Sequence, residues 1–372
     1  MFLAPSDCLV GFPGLAARWS MALLVILPLH VSAAEGPGFP NVDRPGQLNT
    51  VLSSVNTTNG ASGSKAISAV MMHRGYLFAP LSADHGGGQG DGALSVYDIS
   101  NPSSPLRVFD TRNFSSIFHS ASSVHYLGDS AENHSPVMAG NVMLVSEKRF
   151  GSAGFSLLDV SNLYDENPAT LPQIIGRYSF PNVTSPAGYD GYSFSPAMQG
   201  SRYVFAPTGA NGLHVVDTTD PAKPVQLAYR NVSQLSNLTL RAGVVIGNLL
   251  ILSSSTFPTQ FDGKVLLLDI SDPANPTQIA APFDVRIGYQ GFVYGSHFFG
   301  AQDGALESYN FAAPANITKT TYNLAAGATL TNTEYGFGKD GFAFIGHYPG
   351  ATNRLAIRSP AQVAISTRSR PM

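Results

Sequence analysis

Short apolar runs that end in a polar turn recur along this chain and predict repeated β-strands. Four of them share one pattern: residues 94–98 (LSVYD), 155–159 (FSLLD), 213–217 (LHVVD) and 265–269 (VLLLD), with a fainter fifth at 306–310 (LESYN). A continuous apolar run of this length is typical of a strand that is buried on both faces. Small polar residues and proline follow, and they predict a tight turn because they bond nearby backbone groups and forbid helix.

The spacing of these runs predicts the architecture. Consecutive motif aspartates, Asp98, Asp159, Asp217 and Asp269, are 61, 58 and 52 residues apart, and Asn310 follows 41 residues later. Another apolar segment precedes each run, a further one follows its turn, and one more short strand begins each unit, which gives four strands per unit. Repeats of this length suit the blades of a propeller. The sequence therefore predicts an all-β fold, a β-propeller of four-stranded antiparallel blades with about six recognisable units, in a ring of six or seven blades that is complete or incomplete.

The chain is divided by the same patterns into four segments. Arg18, the apolar residues 21–29 and the small residues 31–34 predict a signal peptide over residues 1–34, since the run is shorter than the ~20 residues that span a bilayer. A membrane anchor or a buried helix is the alternative. Residues 35–64 form an N-terminal segment that can supply a closing strand near residues 48–52. Residues 65–350 hold the propeller repeats, and residues 351–372 are a C-terminal tail or a degenerate last blade.

The repeated motif resembles that of the LVIVD-repeat proteins. The resemblance covers residues 65–348 and is carried by the apolar run with its D-[IV]-S-[ND]-P-x-x-P continuation, which is complete at residues 98–105 and 269–276. The family consists of extracellular or cell-surface proteins with a propeller-like fold, so the resemblance implies the same fold and location for this chain. The second unit departs from the pattern by an insertion after residue 162, and the fifth has Asn310 in place of the aspartate.

Composition and sequons agree with secretion and exclude one class of partner. Charged residues make up 12% of the chain and the net charge is −3, so no basic field exists to hold nucleic acid. The single cysteine, Cys8, and the single tryptophan, Trp19, both lie in the predicted leader. N-x-[ST] sequons predict a secreted glycoprotein. They lie at Asn56, Asn113, Asn133, Asn182, Asn231, Asn237 and Asn316. Asn237 is expected to be poorly accessible, because it directly precedes an inner strand.

Motifs of known catalytic chemistry are missing from the sequence, and the motif aspartates are better explained by turns. No nucleophile elbow, zinc-protease motif or Walker loop is present. The glycine-rich residues 84–91 (DHGGGQGD) predict a long hairpin loop, since a phosphate-binding loop would lead into a helix. We expect Asp98, Asp159, Asp217 and Asp269 to end strands and shape turns. Scattered histidines, His214 among them, are interpreted as structural.

A candidate ligand site lies at the start of each unit, on the strand that lines the channel of a propeller. Alignment of five units places a polar residue or tyrosine directly before a small residue at equivalent positions, and in the last unit Glu334 precedes the aligned Tyr335. The candidate channel residues are His119, Asp190, Arg241, Gln290, Glu334 and Tyr335. Buried polar groups must be hydrogen-bonded, so the alternative is that these side chains satisfy one another through water without any ligand.

Two functions from different classes follow. The first is a secreted or cell-surface LVIVD-repeat propeller that acts as a binding or scaffold module, with an unknown protein or glycan at the cell surface as its partner, no cofactor and no membrane span in the mature chain. The alternative is a lactonase-like propeller hydrolase with Ca²⁺ in the central channel. That chemistry needs several converging carboxylates, and the candidate channel residues include two.

Overall fold

The computed structural model describes the following parts of the chain: residues 66–67, 71–82, 93–101, 104–110, 137–149, 152–164, 173–181, 183, 195–256, 260–286, 291–302, 305–314, 316–323, 333–339, 342–347, 351–358 and 362–366. The chain divides into two compact units. In the smaller unit, the described residues Ser100, Asn101 and Ser104 form a turn in which the Ser104 N–H donates to the Asn101 carbonyl at 3.0 Å. All strands named below belong to the larger unit, Val55–Ile99 with Pro105–Met372.

Within the described residues the strands form six small sheets. Sheet 1 contains β1 (Ala66–Ile67), β2 (Met71–His73), β3 (Tyr76–Ser82), β4 (Ala93–Asp98) and β5 (Leu106–Asp110). Sheet 2 contains β6 (Val137–Ala139), β7 (Val142–Arg149), β8 (Ser152–Asp159) and β9 (Gln173–Ser179). Sheet 3 contains β10 (Ala197–Gln199), β11 (Tyr203–Pro207), β12 (Leu213–Asp217) and β13 (Val225–Arg230).

The second half of the chain continues the series. Sheet 4 contains β14 (Leu240–Ile246), β15 (Leu249–Thr256), β16 (Gln260–Asp269), β17 (Thr277–Gln278) and β18 (Phe283–Arg286). Sheet 5 contains β19 (Phe292–Tyr294), β20 (His297–Gln302), β21 (Ala305–Asn310) and β22 (Thr318–Asn323). Sheet 6 contains β23 (Thr333–Lys339), β24 (Phe342–His347), β25 (Ala351–Arg358) and β26 (Gln362–Ser366). Two short 3₁₀-helices of the described residues, Ser161–Tyr164 and Val232–Leu235, lie in connections.

Each sheet is an antiparallel meander, and in sheets 1 to 5 the strand before the outermost regular strand ends with the repeated run. In sheet 3 the order is β10-β11-β12-β13, and sheets 2, 5 and 6 follow the same order. The side chains of β16 alternate between two neighbours: Leu266 and Leu268 pack with sheet 3, and Val265 and Leu267 pack with sheet 5. This double burial explains why the run VLLLD is apolar at every position before the aspartate.

Apolar clusters of this kind join consecutive sheets. Phe78 of sheet 1 packs in one cluster with Met143 of sheet 2, and Phe155 of sheet 2 packs in another with Val204 of sheet 3. Similar clusters join sheet 3 to sheet 4 and sheet 4 to sheet 5. The sheets thus pack face to face in chain order, which is the arrangement of propeller blades.

A repeated bulge marks the outermost strand of sheets 1 to 3. In each of them one residue of the fourth strand has no partner in the register with the third strand, and these residues are Val108, Ile175 and Leu227. A bulge twists an edge strand locally, so it discourages pairing with the edge of another molecule. Edges with exposed apolar side chains, such as Leu106 and Val225, need this protection.

The prediction of an all-β propeller of small antiparallel sheets is confirmed, but its finer form needs correction. Sheets 1 and 4 have five strands instead of four, because β1 joins β3 and β18 joins β16 beside the regular strands. The described apolar clusters connect sheets 1 to 5, and sheet 6 is described by its backbone alone. A closed ring of six or seven four-stranded blades is therefore not shown. Strands β25 and β26 extend sheet 6 past residue 350 to Ser366. No helix among the described residues is long and apolar enough to span a bilayer.

Candidate functional site

One end of the sheets is built from the turns that follow the repeated motif. The Oδ1 atoms of Asp159, Asp217 and Asp269 each accept a hydrogen bond at 2.8 Å from the backbone N–H two residues later. Asn310 makes the equivalent bond at 2.9 Å in sheet 5. The structural interpretation of these three aspartates is confirmed, because each side chain closes its own turn.

Hydrogen bonding also sets the ionisation of these aspartates. Bonds from the hydroxyl and the backbone N–H of Thr219 lower the pKa of Asp217. Bonds from the backbone N–H and the hydroxyl of Ser271 lower the pKa of Asp269. Donors that favour the charged form depress the pKa of a carboxyl group, so these groups are stable as carboxylates and are poorly suited to act as acids at neutral pH.

Tight hairpins between the first two strands lie at the same end as the motif turns. In sheet 4 the hairpin contains Gly247 at φ +60°, and the Ile270 N–H after the motif donates to the Asn248 carbonyl at 2.8 Å. The Gln199 amide of sheet 3 donates to Asn248 Oδ1 at 3.1 Å and so ties neighbouring hairpins together. Polar groups at this end are therefore engaged in holding the sheets in place.

Arg241 lies at the opposite end, at the start of the inner strand β14. In the register between β14 and β15, Leu240 pairs with Ser254 and Ala242 pairs with Ser253, so Arg241 is the extra residue of a β-bulge. The bulge interrupts the alternation of side chains along the strand. Bulges often lie beside active sites, where they change the direction of a side chain.

Glu334 occupies the same position in sheet 6. In the register between β23 and β24, Thr333 pairs with His347 and Tyr335 pairs with Gly346, which leaves Glu334 as the extra residue. The two bulges thus match residue for residue, and Tyr335 takes the place of Ala242. The sequence alignment, which sets Tyr335 against Arg241, is therefore one residue out of this backbone register.

The surroundings of Arg241 are polar and buried. The side chain is 3% exposed, and Ser195 and Thr208 nearby in sheet 3 are buried as well. The Ser195 N–H donates to the Arg241 carbonyl at 3.3 Å, and the Gly209 N–H donates to the Leu240 carbonyl at 2.8 Å. Sheet 3 therefore contacts the start of β14 directly. A guanidinium offers five donors in a fixed geometry, so this position can recognise a carboxylate or phosphate group, or an acidic side chain of the protein.

The remaining candidate channel residues are not placed by the structure. His119, Asp190 and Gln290 lie outside the described residues, and Glu334 and Tyr335 are described by their backbone positions. Their convergence on one space stays a prediction.

The hairpins supply a landmark that the sequence alignment did not use. Arg241 lies six residues before the hairpin residue Gly247, and Glu334 lies six residues before Asp340 at the equivalent position. The same count back from Gly295 and Gly140 leads to Tyr289 and His134 in the sequence, both of which lie outside the described residues. In sheets 2 to 5 a glycine with positive φ in the first hairpin is the signal that fixes this register, since loops of varying length precede the inner strands.

His214 has a structural environment, as the sequence analysis expected. Its ring is 2% exposed and lies between the rings of Phe180 and Tyr229, with both centroid separations at 4.9 Å. Nδ1 is 3.0 Å from Gln226 Oε1. Burial lowers the pKa of His214, and the Gln226 bond opposes that effect in part.

The predicted loop and modification sites are partly described. Residues 84–91 lie outside the described residues, and the strands on either side of them, β3 and β4, pair directly. Three sequon asparagines are described, Asn231, Asn237 and Asn316, and all three are exposed. The expectation that Asn237 is poorly accessible is wrong, because this residue precedes β14 in an exposed turn, at φ +58°. The other sequons, Asn56, Asn113, Asn133 and Asn182, lie outside the described residues.

A search of the described residues for a metal site finds no group of three or more His, Cys, Asp or Glu side chains that could hold an ion. The candidate channel residues with carboxylates, Asp190 and Glu334, have no described side chains. Ca²⁺ binding in the channel therefore stays an untested part of the alternative hypothesis.

Comparison with known proteins identifies the repeat and supports the fold. The family model of the LVIVD repeat matches residues 88–111 and 260–280. No curated protein matches the chain in sequence. Among solved structures, PorZ, an essential surface component of the type-IX secretion system of Porphyromonas gingivalis, is 12% identical with a TM-score of 0.50, over 86% of this chain and 34% of PorZ. The chain thus spans about a third of PorZ, and at this identity the likeness concerns the fold.

Two further solved structures are similar in the same range. The hypothetical selenium-binding protein ST0059 of Sulfolobus tokodaii is 9% identical over 79% of this chain and 74% of that protein, with a TM-score of 0.46. The β-propeller domain of Cps50 (Swd1) from Myceliophteria thermophila is 11% identical over 82% of this chain and 86% of that domain, with a TM-score of 0.49.

Proposed function

We propose that this chain, a β-propeller with LVIVD repeats, is secreted or displayed at the cell surface and acts there as a binding module. The ligand contacts the end of the propeller at which the inner strands begin. Its partner is a protein or glycan of the cell surface that presents polar groups to this end, where Arg241 and Glu334 lie.

The matched bulges at Arg241 and Glu334 are the observation that supports this proposal. A bulge at the same position in two sheets, with a charged residue at each, redirects that side chain in both sheets, which is useful for a binding site. At the other end, described polar groups such as Asp217 and Asp269 are engaged in turns. The two ends of the sheets are therefore specialised differently.

Binding to intact cells tests the proposal. The chain is secreted from eukaryotic cells with an affinity tag, oligomerised on streptavidin and titrated onto intact cells and onto a panel of immobilised glycans. We expect saturable binding that unlabelled protein competes away. Binding that is absent from every surface and glycan would overturn the proposal. Metal analysis of the same protein is the control, since stoichiometric Ca²⁺ would favour the hydrolase hypothesis instead.

Export through the predicted leader is a separate part of the proposal. Expression of the full chain in eukaryotic cells, followed by N-terminal sequencing of the medium, is expected to give a mature protein that starts close to residue 35. Retention of the chain in cells, or a secreted form that still begins at Met1, would contradict a cleaved leader without affecting the binding experiment.

A further inference from the structure

Tyr229, near the end of β13, presents an aromatic ring that is held in place and half exposed. It is 45% exposed, although large apolar surfaces are normally covered. One side of the ring packs on His214, which is fixed in turn by Phe180 and by the bond to Gln226. The ring is therefore a rigid platform with open area, the kind of surface that binds a ligand at a low entropic cost.

Asn231 lies on the same side of the chain as Tyr229. Asn231 is in an extended conformation, with φ −75° and ψ 168°, and continues the strand direction of β13. Alternate residues of an extended segment point to the same side. Arg230, between them, bonds Asn275 of sheet 4 and so points the other way. Asn231 is exposed and begins the sequon Asn231-Val-Ser233.

The hydrogen bonds described for Asn231 use its backbone N–H and Oδ1 and do not involve the side-chain nitrogen Nδ2. Its Oδ1 accepts from the Gln234 N–H at 3.1 Å and from Ser233 Oγ at 2.7 Å, and its backbone N–H donates to Gln234 Oε1 at 3.1 Å. These bonds form a capping box for the 3₁₀-helix Val232–Leu235 and use the oxygen and the backbone. An N-linked glycan is attached to Nδ2, so the cap and the glycan are compatible.

We propose that Asn231 carries an N-linked glycan whose first N-acetylglucosamine stacks its apolar face on the ring of Tyr229. In the transfer, Nδ2 attacks the anomeric carbon of a lipid-linked oligosaccharide diphosphate. The N–C bond forms, the C–O bond to the diphosphate breaks, and the amide loses one proton. The sugar C–H groups then cover the electron-rich face of the ring. The inference rests on the proposed passage through the secretory pathway.

The two other described sequons are internal controls. The residue two positions before Asn237 is Leu235, which is 1% exposed, and the residue two positions before Asn316 is Pro314. Neither offers an exposed aromatic ring at the position that Tyr229 holds. A glycan at these asparagines should therefore leave the stability of the fold nearly unchanged.

The test uses the secreted protein behind a heterologous cleavable leader, so that it does not depend on the chain's own leader. Cells that make high-mannose glycans supply the material, and glycopeptide mass spectrometry measures occupancy at Asn231. Endoglycosidase H then leaves the first sugar, and peptide N-glycosidase removes it and converts Asn231 to aspartate, a change that is the same in the wild type and in the Tyr229 variants. We expect the thermal midpoint to stay unchanged after the first enzyme and to fall by about 2 °C after the second.

Variants at Tyr229 and Ser233 separate stacking from mere attachment. Tyr229→Phe keeps the ring and should keep the shift between the two enzymes, whereas Tyr229→Thr should abolish it. Ser233→Ala removes the sequon and should make the protein insensitive to treatment at this site. An unoccupied Asn231 on the folded secreted protein would overturn the proposal, as would an equal shift in the Tyr229→Thr and wild-type proteins.

Discussion

Gly176 offers the sharpest test of how neighbouring sheets pack. It lies on β9 of sheet 2 against the motif turn of sheet 3, where a Cβ atom would sit 1.6 Å from the Pro221 carbonyl oxygen and 2.6 Å from its carbon. Both are backbone atoms, so no side chain can rotate away. Ordinary contact distances of about 3.5 Å require the two sheets to separate by nearly 2 Å at this point in Gly176→Ala.

The cost of Gly176→Ala follows from that separation. Overpacking in a core costs about 1–3 kcal/mol when side chains can adjust. Because backbone meets backbone here, we expect at least about 3 kcal/mol, a large part of a total stability of about 5–15 kcal/mol. The thermal midpoint should fall by about 6 °C or more.

Gly243→Ala is the matched control. Its Cβ would lie 3.3 Å from Leu252 Cδ2, the end of a side chain that can move slightly, and 3.4 Å from Ala197 Cβ, which is an ordinary contact distance. We expect it to cost less than about 1 kcal/mol. Urea unfolding followed by far-ultraviolet circular dichroism measures both variants. Equal losses in the two proteins would refute the reasoning, because the contact between sheets 2 and 3 would then be absent.

Two further predictions concern pH. Because burial lowers the pKa of His214, the unfolded chain binds a proton more readily than the folded one, and stability should fall as the pH drops below about 6.5. His214→Phe keeps the packing and should flatten this part of the stability curve in urea melts at pH 5 to 8; an unchanged slope would contradict it. Because the pKa of Asp217 is lower in the folded chain, its carboxylate stabilises the fold at pH values above the ordinary pKa of 3.8. This contribution is lost as the pH falls below that value. Asp217→Asn keeps the turn acceptor, so its free energy of unfolding should fall less than that of the wild type between neutral pH and pH 3. Asp217→Ala loses the acceptor and should be less stable than the wild type at every pH.

The repeated strands were predictable because their information is local. A run such as residues 265–269 is apolar at every position because both faces are covered, and the aspartate that follows bonds a backbone group two residues away. Neither property depends on distant parts of the chain. The same holds for Asn310, which replaces the aspartate and makes the same bond.

Other features could not be predicted because they depend on pairing across the sheets. The bulges at Arg241 and Glu334 exist in the register with a second strand and leave no mark in composition. Strands β18 and β25 were missed for a related reason. Polar residues, such as Arg354 in β25, interrupt the apolar pattern of these strands. Each strand is held by pairing with a neighbour, β18 with β16 and β25 with β24.

The most direct test of the proposed function compares two equivalent changes at opposite ends of the sheets. Glu334→Gln and Asp217→Asn each convert a carboxylate into an amide of similar size, one in the inner-strand bulge and the other in the motif turn. Binding of each secreted, folded variant to intact cells is measured beside the wild type. We predict that Glu334→Gln weakens binding at least tenfold and that Asp217→Asn leaves it unchanged. Equal binding by both variants, or a loss confined to Asp217→Asn, would contradict a binding site at the bulged end.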